Sequence, residues 1–442
     1  MFKKYADEAM ELVKLIEADG ARLPGTEEEK AACKKLQGEI VKRTGLTPYT
    51  EKFTFAPNAS IGAINKLGWV ALLMFLVYYI GGIGGTIIAM LGCFGLLIFT
   101  LTQIVRYTGM WDFAFKHETA ENIVTELEPA KGETEYTVYL GAHYDSSWCW
   151  KLALRNPNTA LIKTGYGVIG VIVLMVLSVL RLCLYAGAFY EYTAWNIALY
   201  IVPLAFLPGY FFLTQYLTQD KTVGSPGAMD NLSGIALNMM IVKYFKEHPE
   251  DMPEGMKLVN IGFASEEAGL KGSFAYVKAH KNEIDVNNSY VFNVDSVADP
   301  GHFEAVKGDP WQGTKFDKKL IDMTMEAIRE SGEEPHTIVN PVGGCDSTPF
   351  CRIGVPTTTF AAQNPISTEY YHTSKDVSDR IDVSTFEKGL NVIYKVIKKI
   401  AAQRALVPEV AVTEVITPEV ATEETTAEAA VTAEAPATGT EA

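Results

Sequence analysis

Residues 67–105 form a run of 39 residues without a single charge. As one helix the run would be about 58 Å long, roughly twice the hydrocarbon thickness of a bilayer. The segment YIGGIGG at 79–85 lies at its middle, so the run reads as two membrane-length helices joined by a glycine turn. A second apolar block, 164–219, is interrupted only by Arg181 and Glu191 and predicts helices over 164–186 and 194–217 around a short polar turn. Pro203 and Pro208 would kink the fourth helix, which neighbouring helices in a bilayer can accommodate. The expectation is four passes arranged as two hairpins, 66–105 and 164–219.

The flanking charges orient these hairpins. Lys66, Arg106, Lys151, Arg155, Lys163 and Lys221 lie on the side shared with the polar segments, whereas the opposite turns hold only Arg181. By the positive-inside rule the polar side is cytoplasmic, so the chain is expected to be an integral, multi-pass membrane protein. Each hairpin returns to its starting side, which lets 1–60, 106–163 and 220–405 assemble into one domain. The overall composition, 48% hydrophobic with 21% charged residues, is that of a polar domain carrying separate apolar blocks. A formal charge of -15 gives no dominant basic surface, which argues against a nucleic-acid partner. Residues 406–442 contain eight Glu and no Lys or Arg and read as a disordered acidic tail.

Six cysteines without a CxxC pair suit a reducing compartment and argue against both a disulfide framework and a zinc–thiolate site. The amphipathic, charged start of the chain does not read as a cleaved signal peptide. Within the polar segments helices are expected at 1–20, 27–44, 232–247, 270–280, 315–331 and 384–404. Strands are expected at 48–56, 121–127, 135–141, 257–263, 289–294 and 356–360. Strands separated by helices predict an α/β fold with a mixed, mostly parallel sheet and helices on both faces.

Five polar clusters fall at or beyond the ends of predicted elements: GAHYDS (141–146), SPGAMDNLSG (225–234), FASEEAGLKGS (263–273), FNVDS (292–296) and EYYHTSKD (369–376). Open α/β sheets bind ligands beyond the carboxyl ends of their strands. Two imidazoles, His143 and His372, and three carboxylates, Asp230, Glu267 and Asp295, make a nitrogen and oxygen ligand set that suits Zn²⁺. If Asp230 bridges two ions, each gains one imidazole and one further carboxylate. Two Zn²⁺, three carboxylates and one hydroxide then sum to zero charge, as a partly buried site prefers. Asp145, two residues beyond His143 on a strand, emerges on the same face and can orient the imidazole. Glu266, beside a ligand without being needed as one, is the candidate general base.

Taken singly these signals are weak. A His-x-Asp is ordinarily structural, a Glu-Glu pair is ordinarily a solvated surface, and Asp230–Asn231 would ordinarily cap the helix over 232–247. His117, His248, His280, His302 and His336 lie outside the clusters and read as non-ligands. The conjunction of the five clusters carries the case.

In that order the clusters resemble the dinuclear zinc aminopeptidase family, whose relatives include glutamate carboxypeptidase II, glutaminyl cyclases and the transferrin receptor ectodomain. RLPGT at 22–26 is similar to that family's amino-terminal pattern. The resemblance covers about 1–60, 112–150 and 221–400, and not the hairpins. It implies a zinc exopeptidase fold, with His143 and Asp295 on one zinc, Glu267 and His372 on a second, and Asp230 bridging. It also implies Glu266 as base, Asp145 behind His143, and Asp376 as the acid that follows the last ligand.

The family usually carries Ser-Asp-His or Ser-Asp-Tyr before its last ligand; here the segment is Cys345-Asp346-Ser347, which keeps Asp346 and lacks the aromatic. Asp346, Trp148 and Tyr371 are further candidates for contacts around the metals or substrate, and Trp148 reads equally as an interfacial anchor. The expected activity is hydrolysis at the amino terminus of a peptide or protein. A glutaminyl cyclase-like transferase and a catalytically inactive membrane receptor or scaffold are the alternatives. A transporter is disfavoured because the spans lack an ionisable residue away from the outer turn.

Overall fold

The computed structural model describes residues 1–149, 157–187, 193–215, 223–340, 343–364 and 370–406. Met1–Ala402 form one compact unit and Gln403–Ala442 a second. The acidic tail expected from 406 lies, beyond Leu406, outside the described residues, as do Trp150, Lys151, Arg155, Glu191 and Lys221.

The chain opens with α1 (Lys3–Glu17), α2 (Glu27–Thr44) and β1 (Tyr49–Phe55), followed by two apolar helices, α3 (Ile64–Ile80) and α4 (Gly82–Phe99). Strands β2 (Glu118–Leu127) and β3 (Tyr136–His143) precede α5 (Pro157–Ala186), α6 (Thr193–Ala205) and α7 (Leu207–Gln215). The chain continues through α8 (Gly234–Glu247), β4 (Met256–Phe263), α9 (Lys271–His280), β5 (Ser289–Val297), β6 (Phe303–Val306) and α10 (Lys318–Glu330). It closes with β7 (His336–Ile338), α11 (Ser347–Arg352), β8 (Thr357–Ala362) and α12 (Val383–Leu406).

Among the described residues eight strands form one sheet in the order β1-β2-β4-β3-β5-β8-β6-β7. Its centre, β4-β3-β5-β8, is entirely parallel, and β1-β2 and β6 join it antiparallel. The mixed, mostly parallel sheet read from the sequence is therefore present. The central strands are buried on both faces: every residue of β8 is buried, as is all of β4 except Lys257. This is why they read as near-continuous apolar runs without clean alternation. Helix α8 is buried along nearly its whole length against the sheet, and its Leu237, Met240 and Ile241 belong to the main core with Val138, Leu140, Phe292 and Phe360. Burying one such side chain stabilises the fold by about 1.5–3 kcal/mol.

Two short strands, β6 and β7, and the six-residue α11 have no counterpart in the sequence reading, being too short to show a period. The apolar helices also depart from expectation in detail. Helix α5 begins at Pro157, seven residues before the expected start, and the fourth helix breaks between Ala205 and Leu207, where Pro203 and Pro208 flank the joint and each removes an N–H donor. Gly82, at φ +54, makes the turn between α3 and α4. Arg181, assigned from the sequence to the side opposite the polar domain, lies inside α5, as the helix expected over 164–186 requires, and is buried. Its guanidinium donates to the Tyr78 carbonyl at 2.8 Å and to the Tyr200 hydroxyl. Among the described residues four helices, Ile61–Ile80, Gly82–Val105, Ile162–Ala186 and Ala194–Thr214, are long and apolar enough to cross a membrane.

Candidate metal centre

The parallel strands β3, β4, β5 and β8 all end at one edge of the sheet, and the five sequence clusters converge there. His143 is the last residue of β3. Asp295 sits where the β5–β8 register shifts between Val294 and Val297, an irregularity of the kind that re-aims a side chain. Glu266 and Glu267 occupy a single 3₁₀ turn after β4, Asp230 precedes α8, and His372 lies in the loop after β8.

The side chains meet as two triads. His143, Asp230 and Asp295 place ligand atoms within 4.8 Å of one another, and so do Asp230, Glu267 and His372. Asp230 belongs to both. Its Oδ1 lies 3.1 Å from His143 Nε2 and its Oδ2 lies 2.9 Å from His372 Nε2. His143 Nε2 is 3.8 Å from Asp295 Oδ1, and His372 Nε2 is 3.1 Å from Glu267 Oε1. His143, Asp230, Glu267 and His372 are buried and Asp295 is partly exposed. Among the described residues no other histidine joins such a group; His280, for one, is held between Glu51 and Glu283.

A tier of buried groups fixes these residues. Asp145 lies 3.5 Å from His143 Nδ1, and its two oxygens accept the backbone N–H groups of Glu266 and Glu267 at 3.0 Å each. One carboxylate therefore backs the imidazole and anchors the acidic turn. Asp376 accepts the N–H groups of Met229 and Asp230 at 2.8 and 3.1 Å. Asn231 accepts the Gly234 N–H at the start of α8 at 3.0 Å, although Ser233 is the residue in the cap position, and it also ties in β5 by donating to the Val294 carbonyl at 2.9 Å and accepting from Ser296 N–H at 3.3 Å. The ring of Tyr371 stacks on that of His372 at 3.8 Å between centroids. Asp346 is fully buried and near enough to His143, Asp295 and Asp145 to feel their charges.

Three contributors were not singled out from the sequence. Arg22, in the RLPGT segment, is buried; it donates from Nε to the Tyr144 carbonyl at 2.6 Å and from its terminal nitrogens to the carbonyls of Pro226 and Gly227 at 2.7 and 3.0 Å. It thereby joins the loop after β3 to the loop before Asp230. Gly227 is at φ +62, and a Cβ there would lie 2.8 Å from Arg22 and 2.6 Å from Ser146, so only glycine fits that crossing. Glu29, in the helix that follows, accepts from Ser265 Oγ at 2.7 Å, just before Glu266. Tyr107, which follows the second apolar helix, is the third: its ring would lie 3.0 Å from a Cβ on Gly269, which closes the turn carrying Glu266 and Glu267. Among the described residues, the five non-glycine residues with left-handed backbone, Tyr107, Ser265, Leu270, Ser296 and His372, lie in or beside the segments that build this site, where such strain tends to collect.

Trp148 is buried in a short antiparallel ladder. Trp148 pairs with Gly224, Cys149 N–H donates to the Val223 carbonyl at 3.0 Å, and Ser225 N–H donates to the Ser147 carbonyl at 2.8 Å. The chain on either side of the second apolar block is thus zipped together a few residues from His143 and Asp230.

So much buried acid sets the electrostatics. Burial opposes charge on His143, yet Glu266, Asp145, Asp230 and Asp295 outweigh it and hold its pKa well above the usual value. Burial likewise opposes charge on His372, which Glu267 and Asp230 nonetheless push up to about 10. Desolvation, reinforced by Glu267, Asp346 and Asp295 against the pull of His143, raises Glu266 well above the carboxylate range. Burial raises Asp346 and Asp376 to about 7 each. A group of acids this dense is accommodated by taking up protons, as these shifts show, or by positive charge at its centre, and the donor set of two imidazoles and three carboxylates fits a borderline divalent cation.

The profile of peptidase family M28 matches residues 218–397. Aminopeptidase YwaD of Bacillus subtilis (strain 168) is 25% identical over 197 residues, which are 41% of this chain and 40% of that protein; the match thus spans about two-fifths of the curated relative. Among solved structures, BSAP, a zinc aminopeptidase from Bacillus subtilis, superposes with a TM-score of 0.52 at 14% identity, covering 89% of this chain and 95% of its own. A glutaminyl cyclase from Bacteroides thetaiotaomicron gives 0.50 at 15% identity, over 89% and 97%. At these identities the structures show a shared fold. Over residues 218–397 the chain is similar to the M28 peptidases, in agreement with the resemblance to dinuclear zinc aminopeptidases read from its sequence.

Proposed function

We propose that the chain is a membrane-anchored, zinc-dependent aminopeptidase acting at the amino terminus of peptides or proteins. The observation that carries this reading is the division of Asp230 between two imidazoles, with Glu266 beside both triads. His143 and Asp295 would hold one zinc and Glu267 and His372 a second, with Asp230 shared. When bound, the ions supply Lewis acidity toward a carbonyl and a water, and positive charge that offsets the surrounding acids.

The chain's own residues do the rest. Glu266 takes a proton from the attacking water and returns it to the departing amine. Its position is held by the Asp145 bond to its backbone N–H. Asp376 holds the main chain of Asp230, so that the aspartate's side chain faces both imidazoles.

Four apolar helices with outward-facing Ile80, Ile88, Leu91, Phe94 and Ile201 exposed support insertion in a bilayer, since a water-soluble protein would bury such faces. Lys66, Arg106 and Lys163, near the ends of the spans that face the peptidase domain, support a cytoplasmic site. Cleavage of short peptides by the detergent-solubilised full chain, with and without a chelator, tests the reading: chelator-sensitive release of amino-terminal residues is expected. Conversion of amino-terminal glutamine to a cyclic product would favour the glutaminyl cyclase alternative.

A further inference from the structure

Both inner ends of the first apolar hairpin meet the acidic turn. The hairpin's spans are Ile61–Ile80 and Gly82–Val105; Ser60 immediately precedes the first, and Tyr107 follows the second by two residues. Gly269 closes the turn that carries Glu266 and Glu267, and a Cβ placed on it would lie 3.0 Å from the Tyr107 ring and 3.2 Å from Ser60 Oγ. Lys271, just beyond that turn, pairs with Asp112 Oδ2 at 2.9 Å, and Gln103 Nε2 donates to Asp112 Oδ1 at 2.6 Å. Two residues beyond a span cover at most about 7 Å, and the headgroup layer on one side of a bilayer is about 5–7 Å deep. With the hairpin in a bilayer, the acidic turn stands at the headgroup surface.

The loop between that hairpin and β2 has the composition of the same depth. Met110 and Phe113 are 55% and 77% exposed. Trp111 is fixed between them: its indole Nε1 donates to Thr102 Oγ1 at 3.1 Å, and its ring lies 5.7 Å from that of Phe99 and 6.3 Å from that of Phe113. Lys66 Nζ sits 5.0 Å from the Phe115 ring, and Arg106 and Lys116 are exposed. Trp311, next to the Gln312 that donates to the Val105 carbonyl at 2.7 Å, is exposed as well. Aromatic rings among basic side chains at the end of a span are the residues of a membrane–water interface, where apolar side chains enter the acyl boundary by about 5–10 Å. In water these side chains would form an apolar patch with nothing over it; continuous with two spans, they have lipid as the surface that covers them.

We infer that the loop 108–115 docks into the lipid interface and holds the metal cleft at headgroup height, so that the substrate is the amino terminus of a polypeptide held at the bilayer surface. The inference rests on the membrane and peptidase readings above. An aminopeptidase that only needed tethering to a membrane could hang from a flexible linker. Here Ser60, Tyr107 and Asp112 instead fix the height of the acidic turn above the spans. A substrate confined to the same surface meets that cleft at a raised effective concentration, provided its own reach matches the height.

The test uses the full chain in vesicles of phosphatidylcholine and phosphatidylglycerol. One peptide sequence is offered free in solution, or joined at its carboxyl end to an acyl-lipid anchor through glycine–serine spacers of about 4, 12 or 24 residues. The shortest spacer reaches about 14 Å, enough for a cleft at the headgroups, and its peptide should be cleaved with kcat/KM about 100-fold above that of the free peptide. Cleavage of anchored peptide only through the longest spacer, or no advantage over the free peptide, would overturn the inference. In Phe113→Ser the ratio of shortest-spacer to free-peptide cleavage should fall about 10-fold; an unchanged ratio would remove the loop from the docking surface. Failure to hydrolyse any of the peptides, free or anchored, would remove the peptidase reading and this inference with it, so the two failures are distinguishable.

Discussion

Asp376 holds Asp230 by its main chain: the Oδ2 of Asp376 accepts the Asp230 N–H at 3.1 Å, and its Oδ1 accepts the neighbouring Met229 N–H at 2.8 Å. The carboxylate of Asp230 is thereby left to face two imidazoles, one per oxygen. Substituting Asp376 removes a support without touching a proposed ligand. Asp376→Ala should weaken zinc binding about 10–100-fold, the usual effect of losing such a support, with the chain still folded. Competition against a chelator of known affinity measures it.

Glu266→Gln keeps the size of the side chain and its place in the turn but cannot carry the proton. Zinc content should be unchanged while kcat falls by about 10³-fold. Single-turnover kinetics on a short peptide, alongside elemental analysis, read both quantities. Near-normal turnover would remove Glu266 from the role of base.

The pH dependence of metal loading has a definite sign. In the metal-free protein Glu267 and Asp230, working against burial, push His372 up to about 10, so at pH 8 the imidazole is protonated. A metal ligand must be neutral imidazole, so loading displaces that proton. Zinc affinity should rise with pH up to about 10, and zinc binding at pH 8 should release protons, measured by calorimetry in buffers of differing ionisation enthalpy. The linkage for the metal-free fold runs the other way. A folded pKa above the unfolded value of about 6.5 stabilises below that value, and the contribution is lost as pH rises through 10. Chelator should therefore lower the thermal midpoint more at pH 9 than at pH 6.

Arg22 bonds four carbonyls, of Gly20, Tyr144, Pro226 and Gly227, and its removal leaves several of them buried without a donor. Each such loss costs about 1–3 kcal/mol. Arg22→Met should lower the thermal midpoint of the solubilised chain by roughly 5–10 °C. Arg22→Lys should rescue little of this, because a single ammonium cannot reproduce the planar fork.

Much of this site was legible because its chemistry is written in short clusters at strand ends. His143, Asp230, Glu267, Asp295 and His372 stand in five separate segments, and the parallel sheet gathers them at one edge. The long helices and central strands were equally legible, since their apolar patterns persist for many residues. Arg22 was passed over as part of a motif because nothing in RLPGT reveals that its side chain is buried against carbonyls more than 120 residues away. Tyr107 was invisible for a different reason. It follows Arg106, whose charge reads from the sequence only as the end of an apolar helix, and its packing against Gly269 exists only in three dimensions. The break at Phe206 and the early start of α5 at Pro157 were missed because helix boundaries depend on local packing that composition does not record.

The central claim is that Asp230 is shared between two cations. Elemental analysis of zinc per chain, on wild type and on Asp230→Ala purified in the same detergent, tests it most directly. Two zinc ions per wild-type chain, with loss of both sites' occupancy in the variant, is the predicted result. One zinc per wild-type chain, or two retained after Asp230→Ala, would contradict it.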